Sequence, residues 1–347
     1  RRQRQMCIRD RRYPLHMPGH KRRVPPAPGL GCYAWDLTEI DGADDLHDAD
    51  GILADAMART AALYGARRCW YLVGGSTVGL LAGIRALAPF GSTVIAARNC
   101  HKAVYHAMEL GQLTARWLTP PVDPQFGIYG SVRPADVAAA LDAAPDARCV
   151  ILTSPTYEGV LSDIRTIAKI CRAHGVPLLV DNAHGAYLKF LPHPAHPLDL
   201  GAALCCDSAH KTLPVLTGGA YLHIGKDALA PYEADARECL ALFGSSSPSY
   251  LILQSLDYCN ARLAGDFPAR LAEMCRKVEA LKTHLREQGI PLRGTEPMKI
   301  VVDAAAGGLD GRELAELSPW ERTGLVGYLG HDPELFSGTI RENVLLG

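Results

Sequence analysis

The segment Asp207-Ser208-Ala209-His210-Lys211-Thr212-Leu213 sets a lysine directly after a Ser-x-His step, with the glycine pair Gly218-Gly219 shortly beyond. Apolar Leu213, Pro214 and Val215 follow, so the amine of Lys211 is expected to be partly desolvated. Desolvation and a neighbouring cation lower a lysine pKa and free the amine to attack an aldehyde. Upstream, Asp181 ends the apolar run Val176-Pro177-Leu178-Leu179-Val180. A lysine for a Schiff base and an aspartate for a pyridinium nitrogen are what pyridoxal 5'-phosphate (PLP) asks of a protein. Taken singly, Lys211 also reads as a solvated lysine and Asp181 as a structural strand-end carboxylate.

Neighbouring residues weigh on that choice. Gly74-Gly75-Ser76-Thr77 closes a strand and opens a helix, where close backbone approach, free amides and hydroxyls suit a phosphate. The plain alternative is a Ser N-cap. In Asn182-Ala183-His184-Gly185-Ala186, small Ala183 and Gly185 let a flat ring lie near the backbone, and His184 can hydrogen-bond beside it. His101, after Arg98-Asn99-Cys100, heads a helix and could stack on a ring or serve as a cap. His184, His193 and His196 fit no zinc spacing and lie in a proline-rich stretch, so no metal is expected. The chain has no GxSxG elbow for a serine hydrolase.

These residues need a scaffold, and the pattern of apolar residues describes one. Helical spacing at 52–64, 76–87, 101–110, 134–141 and 164–173 alternates with strand-like runs at 69–73, 93–97, 115–118, 149–153 and 177–181. Such alternation predicts βαβ units, an α/β fold and a mostly parallel sheet. Ligands of such sheets sit at the carboxyl ends of the strands, where Ser76, Thr153-Ser154 and Asp181 all fall. A strand at 219–224, one long helical stretch from 250 to about 288 and a strand at 299–303 are expected to follow.

With 347 residues, 48% hydrophobic and 21% charged, the chain is globular rather than disordered. A net charge of −1 gives no electrostatic case for nucleic acid or an anionic membrane. No run reaches the length of a membrane span. Eleven scattered cysteines without a CxxC pair read as reduced thiols of a cytoplasmic protein.

In this order, the blocks LHMPGHK (15–21), DLTEIDGADDLH (36–47), GGST (74–77), ARNCHKAV (97–104), TSPTYEGVLSDI (153–164), VDNAHGAYL (180–188), DSAHKTLPVLTGGAYLHI (207–224) and SSSPSYLILQSLD (245–257) resemble the Orn/Lys/Arg decarboxylase family. Its members are PLP enzymes of the aspartate-aminotransferase fold, a three-layer α/β domain followed by a small C-terminal domain. The resemblance runs over about residues 13–317. It implies a carboxy-lyase that decarboxylates lysine, arginine or ornithine to the diamine or agmatine through a Lys211 aldimine, as in polyamine biosynthesis. By position, Asp181 would pair with the pyridine nitrogen and His101 stack on the ring with Ala183 behind. Ser76, Thr77, Ser208 and His210 would surround the phosphate, with Lys211 or His210 returning the proton. The segment Ser247-Pro248-Ser249-Tyr250 would approach a partner subunit's cofactor, implying a homodimer or larger assembly. A basic substrate also needs an acid for its distal cation, for which Glu39, Asp44, Asp45 and Glu158 are candidates.

Two departures stand out. Asn182 replaces a Glu common in the family, giving DNAHG. TGLVGYLGHDPELFSGTIRENVLLG (323–347) resembles instead a stretch of ABC-transporter ATPases around their glutamine loop, with His331 in the glutamine's place and no GxxxxGK[ST] loop before it. The expected organisation is therefore a non-native or disordered arm at 1–12, an extended segment at 13–48, a PLP-binding domain at 49–290, the start of a truncated small domain at 291–317 and a chimeric tail at 318–347. Another PLP lyase, an aminotransferase, or a catalytically incomplete fragment are the competing readings.

Overall fold

Runs such as Val94-Ile95-Ala96-Ala97 lack polar alternation, which suits strands covered on both faces. In a computed structural model describing residues 17–23, 30–123 and 127–303, these runs build a seven-stranded sheet between helical layers. In chain order the elements are α1 (Ile52–Tyr64), β1 (Arg68–Leu72), α2 (Gly75–Leu87), β2 (Thr93–Ala97), α3 (Lys102–Leu110) and β3 (Thr114–Leu118). Then come α4 (Pro134–Ala143), β4 (Val150–Thr153), α5 (Ile164–Ala173), β5 (Leu178–Asp181), β6 (Leu204–Asp207), the short α6 (Ala209–Thr212) and β7 (Ala220–Ile224). The strand order is β1-β7-β6-β5-β4-β2-β3, and β7 runs antiparallel to both its neighbours while the other pairs are parallel.

Successive strand residues point to opposite faces, and the core divides accordingly. Val94, Ala96, Ile151 and Leu179 join one apolar cluster with Met57 of α1, Leu80 and Ile84 of α2 and Val104 of α3. Ile95, Ala97, Val150, Leu152 and Val180 join the other with Val137 and Leu141 of α4 and Ile164 and Ile167 of α5. Each fully buried aliphatic side chain contributes about 1.5–3 kcal/mol. Helix ends are fixed locally, as where Asp163 Oδ1 accepts the Thr166 N–H at 3.0 Å to cap α5.

Four elements differ from the sequence-based expectation. The stretch 250–288 is two helices, α8 (Tyr250–Leu263) and α9 (Phe267–Glu287), after a helix α7 (Pro231–Phe243) that the pattern did not suggest. Pro268 lacks an N–H and is accommodated in the first turn of α9, not inside a continuous helix. Strand β6 also went unassigned. The strand expected at 299–303 is shorter, β9 (Val301–Val302), and pairs antiparallel with β8 (Leu292–Arg293). The ATPase-like tail lies outside the described residues. Among those described, no helix is long and apolar enough to cross a membrane.

Candidate functional site

The candidate side chains arise from loops at the carboxyl ends of parallel strands. Ser76 and Thr77 follow β1, His101 follows β2, Glu158 follows β4, Ala183 and His184 follow β5, and Ser208, His210 and Lys211 follow β6. Asp181 is the last residue of β5 itself. The parallel register thus gathers groups from across the sequence on one edge of the sheet.

Lys211 Nζ lies 3.3 Å from His184 Nε2. Burial, then the charges of Lys211 and Lys299, push the His184 imidazole down to about 3, so at neutral pH its Nε2 is free to accept from the Lys211 ammonium. Burial also lowers the Lys211 pKa, with Asp181 opposing. Asp181 is 2% exposed, and its Oδ1 accepts the Ala183 N–H at 3.1 Å. Burial pushes its carboxyl up to about 6, against the pull of that amide and of Lys211 and with a further push from Asp207. The buried Asp181 carboxyl and the Lys211 amine therefore act on each other's charge.

The hydroxyls of Ser76 and Ser208 meet at 2.7 Å, both buried, and tie the turn after β1 to the turn after β6. Thr77 is half-buried in the first turn of α2. The two glycine pairs pack on each other, Gly75 N–H donating to Gly218 O at 2.7 Å. Gly75 has φ +72° and Gly218 φ +94°, and a Cβ on Gly218 would stand 2.9 Å from Val73 O. A side chain at 218 is barred by conformation and by space. His210 turns its Nδ1 to Gly219 O at 3.0 Å. His101 caps α3, its Nδ1 accepting the Ala103 N–H at 3.2 Å, and burial followed by Lys211 lowers its pKa. The cap holds the ring at the rim, within the electrostatic reach of Lys211.

The acids proposed for a distal cation do not form one group. Asp44 accepts five backbone N–H groups, from Asp45, Asp50, Gly51, Leu53 and Ala54, at 2.8–3.3 Å. Burial would raise its pKa, but these amides, at the start of α1, win and lower it. Asp45 Oδ1 accepts from His47 N–H at 2.8 Å, and Glu39 from the Thr38 hydroxyl at 2.6 Å. Only Glu158 has a charge link to the site, through Lys299. Asp44→Ala is therefore expected to lower stability by about 1–2 kcal/mol, as loss of a helix cap does. Urea midpoints measure the effect, and unchanged stability would contradict the capping role.

Sequence reasoning missed two features. Beneath Asp181, the fully buried Asp207 carboxylate lies 2.9 Å from His196 Nε2 and 3.3 Å from His223 Nε2, and accepts from Asn182 Nδ2 at 2.7 Å. This explains the Asn182 departure: an amide donates to Asp207, where a Glu would set two carboxylates together. The donor atoms of His196, Asp207 and His223 lie within 4.8 Å of one another, but His196 is engaged at both ring nitrogens, its Nδ1 facing Leu198 N–H at 3.4 Å. The grouping is a hydrogen-bonded carboxylate rather than the His184/His193/His196 set weighed earlier, of which His184 turns to Lys211 and His193 is exposed. The second feature is Lys299, from the far end of the described chain. The apolar Leu204-Cys205-Cys206 directly before Asp207 was the only trace of the first in the sequence.

Residues 28–307 match the family described as Orn/Lys/Arg decarboxylase, major domain. The uncharacterized protein YaaO of Bacillus subtilis (strain 168) is 36% identical over 282 residues, 78% of this chain and 58% of that protein. An arginine decarboxylase of Halalkalibacterium halodurans is 31% identical over 259 residues, 72% of this chain and 52% of its own length. The solved structure of lysine decarboxylase A from Pseudomonas aeruginosa matches with a TM-score of 0.71 at 22% identity, over 82% of this chain and 42% of that one. The chain spans about half the length of the curated relatives that it matches.

Proposed function

The chain belongs to the Orn/Lys/Arg decarboxylase family, and on that premise we propose that it acts with PLP to decarboxylate a basic amino acid, lysine, arginine or ornithine, to its amine. The observation that carries this reading is the placement of Lys211, 3.3 Å from His184, and the buried Asp181 at neighbouring strand ends. The residues present fit the cofactor. Asp181 uses one oxygen on Ala183 N–H and is suited to hold a proton on a ring nitrogen with the other. Ser76, Thr77, Ser208 and His210 offer hydroxyls, a helix N-terminus and an imidazole to a phosphate. His101 would cover one ring face, while the small Ala183 leaves space on the other.

Bound there, PLP would supply an electron sink for the pair released when CO2 leaves Cα. Lys211 Nζ would anchor the cofactor and would hold the proton destined for Cα. His184 stays neutral beside it and orients that amine without competing for the proton. Asp181, kept in a dry site by β5 and β6, would favour a protonated ring nitrogen, because little water screens its charge there. The active unit is taken to be at least a homodimer, in line with the symmetry of most soluble oligomers.

The test is to incubate PLP-loaded protein with L-lysine, L-arginine and L-ornithine, and to measure CO2, amine and keto acid. CO2 with one matching amine and no keto acid is expected. Keto acid without CO2 would establish an aminotransferase instead. Protein with cofactor absorbance and neither product would rule out the basic-amino-acid reading.

A further inference from the structure

The segment 294–299 returns from α9 to lie against the loop that follows β4. Bonds that do not involve the Lys299 side chain hold it there: Thr295 and Glu296 N–H both donate to Gly159 O, at 2.9 and 3.1 Å, Thr295 Oγ1 accepts the Leu161 N–H at 3.4 Å, and Lys282 Nζ donates to Glu296 O at 2.8 Å. Glu296 Oε2 then accepts the N–H groups of Met298 and Lys299, fixing the turn. Gly159 allows the approach, since a Cβ there would meet Glu296 Cβ at 3.2 Å and Lys299 Cδ at 3.3 Å. The Lys299 ammonium is therefore not required to dock the segment.

That ammonium is nonetheless held in place. Lys299 Nζ donates to Tyr157 O at 2.8 Å and Thr156 O at 3.3 Å, and stands 5.6 Å from the centroid of the Tyr157 ring. The same ring meets His184 edge-on at 5.4 Å, and His184 contacts Lys211. Lys299 is thus joined to the reactive amine through one aromatic ring and one imidazole. Two of its three protons go to carbonyls, and no carboxylate oxygen among the described residues lies within the 4.0 Å of an ion pair. A half-buried ammonium in that state calls for an anion. Burial and then the repulsion of Lys211 lower its pKa against the pull of Glu296 and Glu158, so an incoming anion would relieve both effects.

We propose that Lys299 receives the α-carboxylate of the substrate, with its third proton, and so fixes which end of a basic amino acid enters. This rests on the decarboxylase reading, because the anion placed next to the reacting carbon is then the carboxylate itself. A cationic side-chain terminus is repelled from the same position by Lys299 and Lys211 together. Lys299 is a binding residue in this scheme, separate from the phosphate contacts at Ser76 and Ser208.

The experiment compares each amino acid with its own decarboxylated amine, which lacks only the carboxylate: L-lysine with cadaverine, and L-arginine with agmatine. Full-length PLP-loaded wild type, Lys299→Gln and Lys299→Arg are titrated, following the visible cofactor band, by rapid mixing for the amino acids. Lys299→Gln keeps a donor for the carbonyls of Thr156 and Tyr157 but has no charge. It is expected to weaken amino-acid binding about 10- to 100-fold, the range for a lost charge-assisted hydrogen bond, with the amine within about twofold of wild type by the same reasoning. Lys299→Arg is expected to recover most of the loss. Equal weakening of amino acid and amine, or no weakening of either, would overturn the assignment while leaving the decarboxylase reading intact. A wild-type cofactor band that responds to no basic amino acid would overturn both.

Discussion

Lys211→Ala is expected to abolish borohydride trapping of PLP on the protein and to reduce turnover by about 10⁴-fold, the upper end of what a placed proton-transfer group contributes. Both effects follow from the same nitrogen. Lys211 follows β6 in a single helical turn whose start is fixed by Ser208, with Lys211 N–H donating to Ser208 O at 3.0 Å. Its Nζ is steered by His184, and burial lowers its pKa, so a larger share is available as free amine than in a solvated lysine. Lys299 is the instructive rival, since burial lowers its pKa as well. Its ammonium, however, is spent on two backbone carbonyls, and an amine so engaged is a poor nucleophile. Peptide mass spectrometry after reduction separates the two. An adduct on the peptide containing Lys211 in wild type, and none in Lys211→Ala, is the expected pattern. An adduct that persists in the variant, on Lys299 or elsewhere, would remove Lys211 from its assigned role.

The parts of this site that could be read in sequence are those built from neighbours along the chain. Asp181 with Ala183 and His184, and Ser208 with His210 and Lys211, each occupy one strand end, so their types and spacing already imply a shared edge once the strands are taken as parallel. The helix-strand alternation was readable for the same local reason, and most element ends fall within a residue or two. The break between α8 and α9 was obscured because apolar spacing persists through 264–266, and the proline that separates the helices lies one residue into the second. Strand β6 is four residues long and sits between glycine-rich and proline-rich stretches, too short for periodicity to identify. The reversed direction of β7 depends on how the chain turns at 213–219, which no pattern of apolar residues records. Acids were selected by charge alone, so nothing distinguished Asp44, engaged by five amides, from Glu158. Lys299, His196 and His223 reach their partners only through tertiary packing, and their local sequence gives no hint of it.

Asp207→Ala is expected to be the most destabilising single change in the described core, by about 3–5 kcal/mol, the range for removing one partner of a buried charged group. The carboxylate sits at the end of β6, fully buried, with Asn182 Nδ2 at 2.7 Å, His196 Nε2 at 2.9 Å, His223 Nε2 at 3.3 Å and Cys205 Sγ at 3.4 Å. It connects β5, β6, β7 and the loop before β6 in one step. Truncation leaves the Asn182 amide and His196 Nε2 buried without their carboxylate acceptor, and His223, whose ring nitrogens make no hydrogen bond among the described residues, loses the carboxylate 3.3 Å from its Nε2. Burial alone would raise the Asp207 pKa, but the two imidazoles overcome it and hold the carboxyl well below the usual carboxylate range. Its folded pKa thus lies under the unfolded value, so its contribution is complete above about pH 4 and fades as pH falls further. His223 acts in the same direction from higher pH. Burial lowers its pKa, so stability declines as pH drops below about 6.5 and the unfolded state takes up the proton. Urea titrations of wild type and Asp207→Ala are therefore expected to differ most near neutrality and to converge as the pH falls below about 4. A constant gap across that range would mean that the lost stability came from packing volume and not from the charge. Because Asn182 directly follows Asp181, proposed above to hold the ring nitrogen, Asp207→Ala is also expected to loosen PLP binding even where the variant remains folded. Asp207→Asn keeps the volume and an acceptor oxygen, and retention of full stability in that variant would show that the ionised form is not what the core requires.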